Sequence, residues 1–372
     1  MPDAPRAAEP RRRAVRAAAF RRIAGRAAAE ASAPLAAVAF SFAAGAVLIV
    51  AIGENPFFVY AEMLRGTFGS LQSIGQVLFK TTPLIFTGLS VALAFRAGLF
   101  NIGAEGQAVV GAYAAAVVGI AGAGLPGAIL VPLTIAAAFA GGALWGFIPG
   151  WLRAARGTHE VISTIMLNFI AVALTGYFVT YVTSVPETIH TPEVGAGARL
   201  ARLEAFVPGF RGAPVNLSLF LALAAAVLVH QFLFRWRFGY EIRAVGHAPD
   251  AAEAAGIPVG RRLAAALALS GGVAGLVGTN YVMGYKYYFQ SGFSAGVGFM
   301  GIAVALLGRN HPAGVVAAAL LFGVLSHGGL VINRYVPKEF VDILEAVVIL
   351  AVIAAAVLLR RFPRRRAAAE AT

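Results

Sequence analysis

Ten stretches of about twenty residues, each almost free of charge, recur along this chain of 372 residues. A helix needs roughly 20 consecutive apolar residues to cross the hydrocarbon of a bilayer. Within that hydrocarbon a helix satisfies its own backbone hydrogen bonds, which loops cannot do. The expected fold is therefore an all-α polytopic membrane protein. Composition agrees: 59% of residues are hydrophobic, 13% are charged and the mean hydropathy is +0.78. A soluble domain lies nearer half apolar and a quarter charged. These values argue against a soluble enzyme.

Apolar runs and their breakers place the spans. The expected ones are Pro34 to Ile52, Gln76 to Phe95, Phe100 to Ala121, Leu125 to Leu152 and Val161 to Ser184. A Pro- and Gly-rich loop, Val185 to Val215, follows. Then come Asn216 to Phe234, Leu263 to Gly284, Ala295 to Gly308, Gly314 to Ile332 and Phe340 to Leu359. The eighth, at Ala295, is short for a span. Three regions result: a basic tail over 1–33, a membrane domain over 34–360 and a short tail over 361–372.

Lys and Arg are enriched in cytoplasmic loops. Placing the N-terminus inside puts the eight arginines of Arg6 to Arg26 there, with Arg96, Arg153, Arg156, Arg235, Arg237, Arg243, Arg261, Arg262, Arg309 and the Arg360 to Arg366 group. The outer side keeps Arg65, Arg199, Arg202, Arg211, Lys286, Arg334 and Lys338. Both termini are expected to be cytoplasmic. This asymmetry accounts for the net charge of +13 and the pI of 10.7 without a nucleic-acid partner. The Arg-rich start suits a tail or a helix on anionic lipid. It also has the composition of an organellar transit peptide, and no cleavable secretory signal is evident.

Several motifs resemble chemistry without its context. Gly296-Val297-Gly298-Phe299-Met300-Gly301 matches a dinucleotide fingerprint, yet no strand precedes it and Leu321 stands where a ribose-binding acid belongs. Leu269-Ser270-Gly271-Gly272 matches an ATPase signature but sits inside a span, and reads as a packing surface with Gly275. Lys80, Lys286 and Lys338 follow Phe79, Tyr285 and Pro337, so no P-loop exists. The chain has no cysteine, and its six histidines show no metal-binding spacing, so neither a disulfide nor a metal site is expected. Ser163 and Ser270 lack the turn of a hydrolase nucleophile. Gly142, Gly146 and Gly150 share one helix face, as close helix packing requires.

Two segments carry more. In Arg96 to Gln107, glycines flank Asn101, Glu105 and Gln107 at the start of an apolar run. Such a backbone can break at membrane depth where it faces protein or water. A charged side chain there costs about 2.5–3.5 kcal/mol, so Glu105 either meets a partner or pathway or caps a helix start. In Phe238 to Pro258, Pro249 suits a first helical position, and Asp250 and Glu253 put negative charge in the first turn. Gly256 suits the stop and Pro258 prevents continuation. The spacing predicts a helix of about two turns, Pro249 to Ala255, which is either a surface for a partner's groove or an ordinary connector.

Phe100-Asn101-Ile102-Gly103-Ala104-Glu105-Gly106-Gln107 resembles the hallmark of permease subunits of bacterial ATP-binding-cassette importers for nucleosides and simple sugars. These form a branch of the ribose and branched-chain amino-acid permease superfamily. Ala252-Glu253-Ala254-Ala255-Gly256 is similar to a short form of that superfamily's coupling loop, E-A-A-x-x-x-G. The runs Gly298 to Arg309 and His159 to Asn168 resemble further shared segments. The resemblance implies a multi-pass subunit of the bacterial plasma membrane that binds no cofactor. ATP would be hydrolysed by a partner ATPase subunit. A second homologous permease, as a heterodimer, and an extracytoplasmic lipoprotein or solute-binding protein would complete the importer. It further implies coupling to the ATPase through Pro249, Asp250, Glu253, Ala254 and Gly256. Asn101, Glu105, Gln107 and Asn168 become candidates for the transport pathway. The rival reading is an ion-coupled secondary transporter using Glu105. A membrane-embedded enzyme ranks behind both, because no cluster of intramembrane acids and histidines is evident and no catalytic residue is identified.

Overall fold

The computed structural model describes residues 39–337 and isolated positions on either side of them. The tails over 1–33 and 361–372 and most of the expected tenth span, Phe340 to Leu359, lie outside the described residues. The chain divides into two units, Met1–Pro56 with Asp342–Thr372, and Phe57–Val341. The first contains an apolar helix, α1 (Ala39–Ala51).

Among its described residues the second unit is mainly helical. Its elements are α2 (Pro56–Phe68, whose first residue closes the other unit), α3 (Leu71–Arg96), α4 (Ala104–Ala121), α5 (Gly127–Arg156), α6 (Glu160–Tyr181), α7 (Ser218–Arg235), α8 (Arg237–His247), α9 (Pro249–Ala254), α10 (Val259–Gly275), α11 (Val297–Leu307) and α12 (Pro312–Ile332). A π-helical stretch, Thr279–Lys286, continues α10. Among the described residues the only β pairing is two isolated bridges, His190 with Gln290 and Arg202 with Asn216.

Seven of these helices are long and apolar enough to cross a membrane: α3 to α7, α10 with its π continuation, and α12. The expected eighth span is not one. With eleven residues, α11 rises only about 16 Å, half the roughly 30 Å of hydrocarbon. The third span also starts later than expected, at Ala104 rather than Phe100, because the backbone of 97–103 leaves the helix. α2 and α8 are helices that the apolar pattern did not single out.

Burial separates centre from rim. The apolar window of α3 is 89% buried and that of Val259–Lys286 is 78%, against 22% for both α5 and α6. The rim is inverted in polarity. On α6 the buried stripe is Glu160, Thr164, Asn168, Ala171, Thr175 and Val179, whereas Ile162, Met166, Phe169, Ile170 and Tyr177 are exposed. A helix with polar atoms inward and large apolar side chains outward suits lipid as solvent.

α5 and α10 meet along glycine. A Cβ on Gly142 would collide with the Gly271 carbonyl, one on Gly146 with that of Leu267, and one on Gly275 with that of Ala138. Gly111 of α4 also abuts Gly275. The spacing of Gly142, Gly146 and Gly150 thus does what it implied: it lets backbones touch. Gly271 and Gly275, in and beside the false ATPase signature, supply the opposite face. Gly176 on α6 has open space around it and serves as a control. Gly275→Ala is expected to lower thermal stability in detergent by about 1–3 kcal/mol. Gly176→Ala should leave stability unchanged or raise it by up to about 1 kcal/mol, both read from melting curves.

Candidate functional site

The backbone break after α3 organises the centre of the molecule. At Gly98 the chain turns with φ +73°, a conformation that side chains rarely adopt, close against the backbone of Gly246. Asn101 then folds back on its own segment and accepts the Gly103 N–H at 3.0 Å. Its amide donates to Gln107 Oε1 and to Ser270 Oγ, both at 2.8 Å. Gln107 returns a bond to Asn101 Oδ1 at 3.1 Å. Ser270 Oγ donates to the Ser90 carbonyl at 2.7 Å. One buried polar network thus ties α3, α4 and α10 together.

Asn168 approaches the same break from α6. It accepts the Gly106 N–H at 2.8 Å and donates to the Ile102 carbonyl at 2.9 Å. Those two backbone groups, left free by the break, gain partners that lipid cannot offer.

Glu105 lies in the first turn of α4 and is 7% exposed. Its oxygens accept Ser294 Oγ at 2.5 Å, the Gly296 N–H at 3.1 Å and the Gly298 N–H at 2.6 Å. Gly296 and Gly298 open α11, so the carboxylate caps the start of another helix while lying in the first turn of its own. A Cβ on Gly298 would strike the Glu105 backbone, which is why the two helix ends can abut. The glycines of the false dinucleotide fingerprint therefore serve packing; Gly301 likewise faces Thr87.

Asn101, Glu105, Gln107 and Asn168 are thus all buried and gathered at the start of α4. Sequence reasoning missed their partners, Ser90 and Ser294, and gave Ser270 no role, because no spacing along the chain links them. It also missed a succession of rings beside this cluster. Tyr285, Phe79, Tyr281, Phe293, Phe289, Tyr113, Phe178, Tyr177 and Tyr181 follow one another with centroids 4.9–5.9 Å apart. The local signal was the four-residue spacing of Tyr177 and Tyr181, of Tyr281 and Tyr285, and of Phe289 and Phe293. Loop 182–217 is pinned above these rings by backbone bonds such as Thr191 to Phe289 and Val194 to Tyr287.

At the opposite end, α8 is clamped and α9 projects. Glu241 is buried and bonds Arg262 at 2.6 Å and Arg237 at 3.0 Å. Arg262 also lies 4.3 Å over the Phe238 ring. α9 has Pro249 in its first turn and ends before Gly256 at φ +79°. Of its residues only Ala252 is buried, whereas Pro249, Asp250, Glu253, Ala254 and Gly256 are exposed. His230 and His311, far apart in sequence, come to 5.3 Å between ring centres nearby.

Residues 73–353 match the family described as branched-chain amino acid transport system, permease component. The chain belongs to this permease family. It is 42% identical to the guanosine ABC transporter permease protein NupP of Bacillus subtilis, over 85% of this chain and 91% of that one. It is 37% identical to the nucleoside ABC transporter permease protein NupB of Lactococcus lactis, over 91% and 95%. It is 35% identical to the glucose ABC transporter permease protein TsgB13 of Haloferax volcanii, over 85% of each. No solved structure matches. The permease is a multi-pass membrane protein, and the family resemblance read from its motifs holds over most of its length.

Two outcomes follow from the geometry of the permease. Glu105→Gln removes a buried charge but turns an amide N–H₂ toward donors that need an acceptor. It is expected to lower the melting temperature, by a cost of about 1–3 kcal/mol; a rise would mean that the charge was only a liability. At the other end, the Arg262 hydrogen bond, aided by Arg237 and opposed by burial, holds the Glu241 carboxyl below its usual range. Its stabilising contribution is present above the ordinary value of about 4.3 and is lost as pH falls through the depressed folded value. Glu241→Gln should therefore speed amide exchange in 237–247 at pH 7, with the difference from the parent closing as pH falls through that depressed value.

Proposed function

We propose that the chain is one of two permease subunits of an ATP-binding-cassette importer in a bacterial plasma membrane, moving a nucleoside or a simple sugar by alternating access. The projecting α9 is the observation that carries this reading. A two-turn helix is too short to hold itself in water, yet this one is exposed on a braced platform. It is a handle for another molecule. The partner is a cytoplasmic ATPase that binds and hydrolyses ATP, and α9 engages it through Pro249, Asp250, Glu253, Ala254 and Gly256. The names of the relatives support the solute class. Similarity to both NupP and NupQ of B. subtilis, at 42% and 29% identity, supports pairing with a second, non-identical permease.

Orientation follows from the charges. Arg96, Arg153, Arg156, Arg235, Arg237, Arg243, Arg261, Arg262 and Arg309 lie at the α8–α9 end, which is therefore cytoplasmic with both termini. About ten helices would then complete the subunit. Loop 182–217 faces outward as the surface for a solute-binding lipoprotein. The aromatic succession beneath it offers π faces to a neutral, ring-bearing solute. Asn101, Glu105, Gln107 and Asn168 brace the broken helices along that pathway. Because the Glu105 oxygens are taken by three donors, they are poorly placed to serve as an ion-coupling site, and the relatives favour the ATP-driven reading.

In the reconstituted complex, Glu253→Arg should leave insertion intact, abolish solute-stimulated ATP turnover and reduce uptake at least tenfold. Normal stimulated turnover in that variant would refute α9 as the handle.

A further inference from the structure

Between α3, α5, α7 and α10 the bundle carries a groove of about 630 Å³. Leu93, Pro132, Phe139, Leu228, Phe232 and Val273 line it, and every other lining side chain is apolar or aromatic as well. It opens on the flank of the bundle, since Leu228 is 60% exposed. Along α7 it runs from Ala225 to Trp236, about 16 Å at the helical rise. That is a slot for a chain rather than a compact solute.

Charge distinguishes its two ends. Trp236, half-exposed, closes the α8–α9 end, where an amphipathic ring belongs at headgroup depth. Arg235 and Arg237 flank it. Arg235 lies seven residues beyond Leu228, hence on the same face of α7, and is exposed. The Arg237 side chain is 93% exposed while one nitrogen bonds Glu241. Glu241 is shared with Arg262, so Arg235, Arg237, Arg262 and Glu241 together carry a net charge of two positive. A purely apolar slot with exposed arginines on either side of the tryptophan at its end matches an acyl chain ending in a negative headgroup, not a water-soluble solute.

We infer that this groove is a specific site for an anionic phospholipid of the leaflet on the α8–α9 side, one acyl chain lying along α7 and the phosphate on Arg235 and Arg237. The groove shares no lining residue with the Glu105 cluster and does not depend on the transported solute. Occupation would fasten the start of α8 to the membrane through the lipid.

The test uses the full chain, with whatever subunits co-purify, in phosphatidylcholine vesicles. The probe is phosphatidylglycerol with brominated acyl chains, compared with phosphatidylcholine bearing the same chains. Each quenches tryptophan fluorescence on contact, and the signal lost in Trp236→Phe identifies the Trp236 contribution. The brominated phosphatidylglycerol should quench Trp236 with an apparent affinity about fivefold higher per engaged arginine. The double variant Arg235→Gln, Arg237→Gln should bring the two lipids to parity. Ala225→Phe, which fills the slot, should weaken quenching by both. Equal quenching in the parent would mean bulk lipid only. Absence of quenching would mean that another polypeptide covers the groove. Either result overturns the proposal.

Discussion

A single carboxylate holds two helix starts together. α4 and α11 meet N-terminus to N-terminus, and each such end carries about half a positive charge from its aligned peptide dipoles. In a low-dielectric interior these ends would repel, and their first N–H groups would lack partners. Glu105 meets both needs, lying in the first turn of α4 and accepting the N–H groups of Gly296 and Gly298. The segments 97–103 and 287–296 can leave helical geometry inside the bundle only because such partners are supplied at their ends. A charge that is a cost in an isolated span is here the condition for breaking two.

The amides extend the same logic. Proline at position 83 removes the N–H that the Phe79 carbonyl would accept, and Asn280 donates to that carbonyl instead, at 3.3 Å. Asn168 serves Gly106 and Ile102 in the same way. These amides are thus placed by backbone need. On the inward face of α6 only Asn168 serves that need: Thr164 and Thr175 bond carbonyls of their own helix, and Glu160 pairs with Arg153.

Much of this architecture could be read from the chain itself. Long apolar runs announced the spanning helices, and Pro249 with Gly256 bounded α9 to within a residue of its observed end. Boundaries failed where tertiary partners override hydropathy. Phe100 to Gly103 is apolar enough to be helical, but Asn101 satisfies the backbone through a turn, so α4 waits until Ala104. α11 passed as a short span because its composition is that of one; only its length and the cap by Glu105 reveal a half-helix. Of the site, the residues were visible and their partners were not. Nothing local connects Glu105 with Ser294, 189 residues away, or Asn101 with Ser270, 169 residues away. α8 escaped notice because its pattern is amphipathic for an aqueous boundary, with Glu241 buried between two arginines.

The α8–α9 end and the centre of the bundle are held by different kinds of contact, in a way that suits the proposed handle. α9 rests on α8, and α8 is fixed to α10 by charge-assisted bonds from Glu241, which are roughly twice as strong as neutral ones. α10 is then held to α5 by backbone contact at glycine, which leaves little compliance between the two. On the proposed reading, a push on α9 would be carried as rigid-body motion of α10 rather than absorbed in side chains. It would arrive at Ser270, where α10 touches Asn101 and Ser90 through neutral hydrogen bonds. In membrane interiors such bonds contribute only about 0.6–1.7 kcal/mol each, and hydroxyls and amides can exchange donors and acceptors as helices slide. Charge-assisted contacts at the handle and at the Glu105 junction, with neutral, interchangeable ones where Ser270 meets Asn101 and Ser90, would direct movement to that seam, where a pathway would have to open.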